Sequence, residues 1–242
     1  MITAGRYRSW ATTHDGTRRK HNEDAFVNRP DLGLWAVADG AGGHTAGDLA
    51  SGMIAEALEG IPTGLGAAEM MAAVRLRIAD VHTALRDEAA RRGEAVMIAS
   101  TVVVLVVRGD HFACLWAGDS RAYLLRGGVL RQVSHDHSLV QELVDSGAIA
   151  PEDAEHHPHA NVITRAVGAA VEDLALDKMT ERAQPGDRFL LCSDGLSKFV
   201  EAEVLAALLA PAAGDQPSEA LVAAALERQT NDNVTAVVVE LG

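Results

Sequence analysis

The strongest constraint in this chain is a set of apolar runs too short and too rich in β-branched residues to be helices. Residues 102–107 read VVVLVV, 34–38 LWAVA, 112–117 FACLWA, 189–192 FLLC and 235–239 TAVVV. Each is compact and bounded by turn residues, which marks a strand. A strand with no polar alternation is covered on both faces, so these sheets need further layers on either side. RAYLLR (121–126) and VLRQVS (129–134) flank Gly127-Gly128, the signal of a two-residue antiparallel hairpin. The covering layers are legible too. Met70, Val74, Ile78, Val81 and Leu85 recur at spacings of three and four, predicting a helix from about Ala67 to Arg91. Further helices are predicted over Ala46 to Glu59, over Glu201 to Leu209, and over Glu219 to Gln229 with Ser218 as N-cap. Antiparallel sheets covered by helices make an α+β layered domain, and 242 residues fit a single one spanning 1–242. The polar stretch 146–161, with Pro151, Pro158, His156, His157 and His159, is expected to be a mobile surface loop.

Several function classes are excluded by composition. Lys and Arg number 21 against 34 Asp and Glu, a net charge of −13, which disfavours broad contact with nucleic acid or anionic lipid. The longest apolar run, Ile98 to Val107, falls short of the roughly 18 residues of a membrane span. Cys114 and Cys192 sit inside apolar runs, the setting of buried hydrophobes in a reducing cytoplasm rather than of disulfides. A monomer with no membrane and no nucleic-acid partner is expected. At this length a fused kinase, receptor or membrane anchor is not expected either, so partners act in trans.

Four aspartates carry the functional signal. Asp39, Asp119 and Asp194 each follow a buried strand, and Asp232 precedes one. Three strands leaving and one entering bring four carboxylates to one edge of an antiparallel sandwich. Crowded carboxylates repel and are driven toward protonation unless a cation sits among them. All-oxygen donors, without Cys or His at zinc spacing, suit Mg²⁺ or Mn²⁺. No EF-hand loop and no Walker G-K-[ST] is present. Around Asp39, the glycines Gly40, Gly42 and Gly43 let backbone approach an ion closely and present a carbonyl. Arg19-Lys20-His21-Asn22-Glu23-Asp24 adds a fixed cation and two more carboxylates, the needs of a phosphate-handling site.

Together these segments resemble the metal-dependent protein serine/threonine phosphatases, the PPM or type 2C family, in bacterial form. They are GTRRKHNEDA (16–25), VADGAGGH (37–44), ST (100–101), GDSRAY (118–123), DHS (136–138), NVITRAVG (161–168), CSDGL (192–196) and NDNVT (231–235). Their order and spacing over most of the chain carry the likeness. The resemblance implies a four-layer α-β-β-α sandwich and two bridged Mn²⁺ or Mg²⁺ ions. In it Asp39 is the bridging ligand, Gly40 gives its carbonyl, Asp194 and Asp232 complete the first ion, and Asp119 is a ligand of the third ion of bacterial members. Glu23 and Asp24 match positions that contact metal-bound waters, Arg19 the phosphate-binding arginine, and 146–161 a flap over the site. The activity implied is hydrolysis of phosphoserine and phosphothreonine in proteins, reversing a cognate Ser/Thr kinase.

One position departs from the family. Many eukaryotic members carry a histidine, assigned as general acid, directly after the Asp-Gly; here it is Ala41, and His44 stands in as the candidate acid. The His135-Asp136-His137 trio is expected to shape a turn before a helix at Ser138 rather than to bind metal. Two competing readings are a non-catalytic scaffold or sensor on the same fold, and a metal-dependent phosphodiesterase or nuclease. The intact acidic set argues against the first and the −13 charge against the second.

Overall fold

The computed structural model describes residues 7–42, 46–93, 96–170, 172–211 and 215–242. Its strands are β1 (Tyr7–His14), β2 (Asp24–Arg29), β3 (Leu34–Ala41), β4 (Ala99–Ser100), β5 (Val102–Arg108), β6 (His111–Ala117), β7 (Arg121–Arg126), β8 (Val129–Gln132), β9 (Asp177–Arg182), β10 (Arg188–Cys192) and β11 (Val234–Leu241). The helices are α1 (Gly47–Glu59), α2 (Ala67–Arg92), α3 (Leu139–Asp145), α4 (Asp194–Ser197), α5 (Ala202–Leu209) and α6 (Pro217–Glu227). One sheet has the order β1-β11-β10-β7-β8, the other β2-β3-β5-β6-β9 with β4 paired to β3, and every pairing is antiparallel.

The unalternating apolar runs follow directly from this layering. Trp35, Val37, Val103, Leu105, Phe189, Leu191, Val237 and Val239 point between the sheets and pack there with Phe112 and Leu124. Their neighbours in sequence point outward. Leu34, Ala36, Val102, Val104 and Val106 meet Ile54 and Leu58 of α1 and Met70, Val74 and Ile78 of α2. Leu190, Cys192, Ala236 and Val238 meet Leu205 of α5 and Leu221 and Ala225 of α6. The α-β-β-α sandwich is thus three apolar interfaces stacked through two sheets. Each Val or Leu so enclosed contributes about 1.5–3 kcal/mol of burial. Both thiols lie in these cores, and burial pushes Cys192 up to about 12, leaving it neutral and inert.

The Gly127-Gly128 hairpin joins β7 to β8 as expected. Both glycines have positive φ, +58° and +82°, which a two-residue type I′ turn requires. Ser138 caps α3 by accepting a hydrogen bond from the Gln141 amide at 3.3 Å. Ser218, however, is no N-cap. Pro217 begins α6 one residue earlier with its pre-set φ, and the buried Ser218 hydroxyl instead pairs with Thr12 Oγ1 at 2.8 Å. Three strands the apolar runs do not reveal, β1, β2 and β9, all lie at sheet edges, where partial exposure removes the continuous apolar signature. Residues 146–161 hold one 3₁₀ turn, Pro151–Asp153, and otherwise bends and turns after α3. Among the described residues no helix is long and apolar enough to cross a membrane.

Candidate active site

Strand register brings the acids together. Asp24 opens β2 directly opposite Asp39 in β3. Val37 of β3 faces Val103 of β5, and Val102 faces Ala117, so the end of β6 and the Asp119 after it reach the same edge. In the other sheet Cys192 faces Ala236, placing Asp194 after β10 beside Asp232 before β11. The two sheet edges are tied by hydroxyls: Ser193 Oγ and Thr235 Oγ1 donate to Asp24 Oδ2 at 2.8 and 2.7 Å. A cleft of about 620 Å³ opens there, with Glu23, Asp39, Gly40, Asp194 and Asp232 on its floor. Arg18, Arg19, Lys20 and His21 form its basic rim, and Asn161 and Ile163 close another side.

Polar side chains from distant segments hold these groups in place. Thr101 N donates to the Asp39 carbonyl at 2.8 Å, while Asp39 N donates to Thr101 Oγ1 at 3.1 Å. Thr101 Oγ1 is itself 2.6 Å from Ser120 Oγ. Asn233 organises the loop between β1 and β2, accepting from Glu23 N at 2.9 Å and donating to the Asp15 and His21 carbonyls at 3.0 Å. Backbone must pass very closely at Gly40, where an added Cβ would lie 2.0 Å from the Gly47 carbonyl oxygen. A Cβ on Gly47 would in turn lie 2.8 Å from both the Gly40 carbonyl oxygen and Glu23 Oε1. Those two oxygens therefore share one crowded corner of the cleft.

Charge in this cleft is poorly balanced. Burial, then Asp24, Asp194, Asp119 and Asp232, raises the Asp39 carboxyl well above the usual range. Asp24 is raised to about 7, chiefly by burial, although its two hydroxyl partners pull it down. Asp119 is raised to about 6 by burial and Asp194, with Lys198 opposing. Two cations answer these acids. Arg19 Nη2 donates to Asp232 Oδ2 at 2.8 Å, and Lys198 Nζ donates to Asp194 Oδ2 at 2.7 Å and Asp119 Oδ2 at 3.2 Å. With these pairs in place, no three His, Cys, Asp or Glu side chains among the described residues close around one point as ligands of one ion would. The donor chemistry nevertheless fits a hard cation. Glu23 Oε1 is buried with no hydrogen-bond partner, beside the Gly40 carbonyl, and an orphaned buried oxygen is costly unless something positive meets it.

Of the candidate residues, Glu23, Asp39, Gly40, Asp194, Asp232 and Arg19 line the cleft, Asp24 is bound to Ser193 and Thr235 across the two sheet edges, and Asp119 lies against Lys198. His44 lies outside the described residues. The trio 135–137 is not gathered: His135 meets Asp145, Asp136 chelates Arg121, and His137 accepts from Gly118 N. Lys198 escapes the sequence reading, although its i,i+4 spacing from Asp194 was a usable signal. Thr101 and Asn233 entered it only inside the ST and NDNVT segments, without a role of their own.

The chain matches the family model for protein phosphatase 2C over residues 13–229. It is 34% identical over 232 residues to the serine/threonine protein phosphatase PstP of Mycobacterium tuberculosis, an alignment covering 96% of this chain and 44% of that protein. The chain thus spans less than half the length of that relative. Among solved structures, PppA, a key regulatory component of T6SS in Pseudomonas aeruginosa, superposes with a TM-score of 0.90 at 45% identity, covering 98% of this chain and 99% of its own. The catalytic domain of PstP in complex with two manganese ions superposes with a TM-score of 0.82 at 34% identity, covering 98% of each chain.

Proposed function

The chain belongs to the protein phosphatase 2C family, and from that premise we propose that it is a metal-dependent phosphatase of phosphoserine and phosphothreonine in proteins. One observation carries the reading: four carboxylates from both sheets, Glu23, Asp39, Asp194 and Asp232, line a cleft rimmed by Arg18, Arg19 and Lys20, with both thiols buried in the cores. The chain acts as one catalytic domain, with 146–161 as its flap, on phosphoproteins made by a Ser/Thr kinase in the cytoplasm. The PstP relative's two manganese ions suggest the same number here, and all-oxygen donors accept either Mn²⁺ or Mg²⁺. Asp39 would bridge them, with the Gly40 carbonyl, Asp194 and Asp232 as further ligands and Glu23 and Asp24 acting through water.

The chemistry such ions supply is the acidification of water to a nucleophile at neutral pH. The chain's own groups do the rest. Arg19 is half exposed at the rim, and a single N–H is taken by Asp232, leaving the rest of its fork for phosphoryl oxygens as charge spreads over them. Asp232, on turning to a cation, releases Arg19 entirely. Thr101, Ser193, Thr235 and Asn233 keep the acids aligned without themselves reacting. His44 is assigned the leaving-group proton from its sequence position. His44→Ala should then slow a phosphopeptide more than p-nitrophenyl phosphate, whose leaving group needs no acid; equal slowing removes that role.

The decisive experiment follows hydrolysis of a phosphothreonine peptide and a phosphodiester by metal-stripped protein, before and after Mn²⁺. Monoester hydrolysis that appears only with Mn²⁺ supports the reading. Diester hydrolysis would move the chain to the nuclease class, and inactivity toward both would make it a scaffold.

A further inference from the structure

Family likeness implies a third ion at Asp119, yet the donor set at that place does not fit one. Asp119 is almost wholly buried, and its Oδ2 already receives Lys198 Nζ at 3.2 Å. The same nitrogen donates to Asp194 Oδ2 at 2.7 Å and to Asn161 Oδ1 at 3.1 Å. An ammonium has three N–H donors, and all three are spent on oxygens gathered around one point. That point lies between Asp119 and Asp194, where a cation bridging the two would have to sit.

Local structure makes this occupancy stable. Asp194 opens α4 and Lys198 follows its last residue, with Lys198 N donating to the Asp194 carbonyl at 2.9 Å. One helical turn therefore places carboxylate and ammonium side by side at sequence positions four apart. Two carboxylate oxygens and one amide oxygen around Nζ are the partners that an ammonium's three donors require. A divalent ion arriving here would have to expel a tethered cation that never leaves by diffusion. Asn161 supplies the third oxygen, so the same contact fastens the end of the 146–161 stretch to the site.

We propose that the Lys198 ammonium takes the third-cation position between Asp119 and Asp194, so that this chain works with two ions and a built-in positive charge. The inference rests on the two-ion reading above. Lys198 is on this account a positioning residue: it neutralises Asp119, orients Asp194 and shuts out a third ion.

Equilibrium dialysis of the purified full chain against Mn²⁺, with bound ions counted by metal analysis, tests it. Wild type should bind two ions. Lys198→Ala should bind a third about a hundredfold or more tighter than wild type does, because a like charge roughly 4 Å away has gone. Asp119→Asn should leave the wild-type count at two and abolish the third ion of Lys198→Ala. Should circular dichroism show Lys198→Ala unfolded, Lys198→Met keeps the apolar stem and carries the same expectation. A third ion held equally by wild type and variant overturns the inference while leaving the two-ion reading intact. Wild type that binds no Mn²⁺ overturns both.

Discussion

Strand β10 runs between two groups of buried carboxylates, and its two ends handle negative charge in opposite ways. Before it, Asp187 is buried and fully answered: Arg126 donates Nε and Nη2 at 2.7 Å each, and Gln184 N adds a third bond at 2.8 Å. Nearby, Arg188 meets Glu240, and Arg126 also meets Glu181. Beyond the other end lie Asp24, Asp39, Asp119 and Asp194, with one lysine among them and Arg19 at the rim. A buried charge is tolerable when a fork of donors matches it and costly when it faces its own kind. At the arginine-matched end Asp187 has a positive partner for each carboxylate oxygen and closes the sheet. The acid-crowded end is left short of positive charge, and that shortage is what a divalent ion would relieve.

The comparison can be broken first through activity. Asp39→Asn and Asp194→Asn should each lower kcat on a phosphothreonine peptide by about 10³-fold or more, roughly 4 kcal/mol of transition-state stabilisation. Asp39 is held through its backbone by Thr101, so the fold should survive. Near-normal turnover at saturating Mn²⁺ would remove either residue from the ligand set. Asp187→Asn should do the reverse, leaving kcat close to wild type while destabilising the protein by about 3 kcal/mol in urea denaturation. A catalytic loss without a stability loss there would erase the distinction between the two ends.

Arg19→Ala should reduce kcat/KM by about 1.5–3 kcal/mol, the range for hydrogen bonds to charged groups, while Mn²⁺ affinity stays near normal. Unchanged kinetics would return Arg19 to a surface loop pairing only with Asp232. A last effect, on stability and not on turnover, concerns Asp24. A carboxyl raised from 3.8 to about 7 on folding binds protons more readily in the native state, so stability falls as pH rises through that window. In metal-free buffer Asp24→Asn should therefore stabilise the protein above pH 7. The gain should shrink by about 1.4 kcal/mol per pH unit as pH falls from 7 toward 4. A pH-independent difference in melting temperature would mean that Asp24 is not the strained group.

Much of this was legible from residues alone because two strong periodicities carried it. VVVLVV and its counterparts require cover on both faces, and the three-and-four spacing of Met70 to Leu85 supplies some of that cover. Aspartates at the tips of such strands point to a shared edge, since antiparallel pairing returns alternate ends to one side. Those signals are local, and they survive without coordinates. Edge strands β1, β2 and β9 carry no such signal, because one exposed face accepts almost any side chain.

What tertiary structure alone decided is which charge meets which. Lys198 and Asp119 are 79 residues apart, Arg19 and Asp232 213, and Ser193 and Asp24 169. No spacing rule links such pairs; only sheet register and the stacking of two sheets bring them within hydrogen-bond reach. The sequence by itself determined an acidic edge on a helix-covered β-sandwich. Packing determined that one cation of that edge is a tethered lysine, because only the folded chain sets Nζ among Asp119, Asp194 and Asn161.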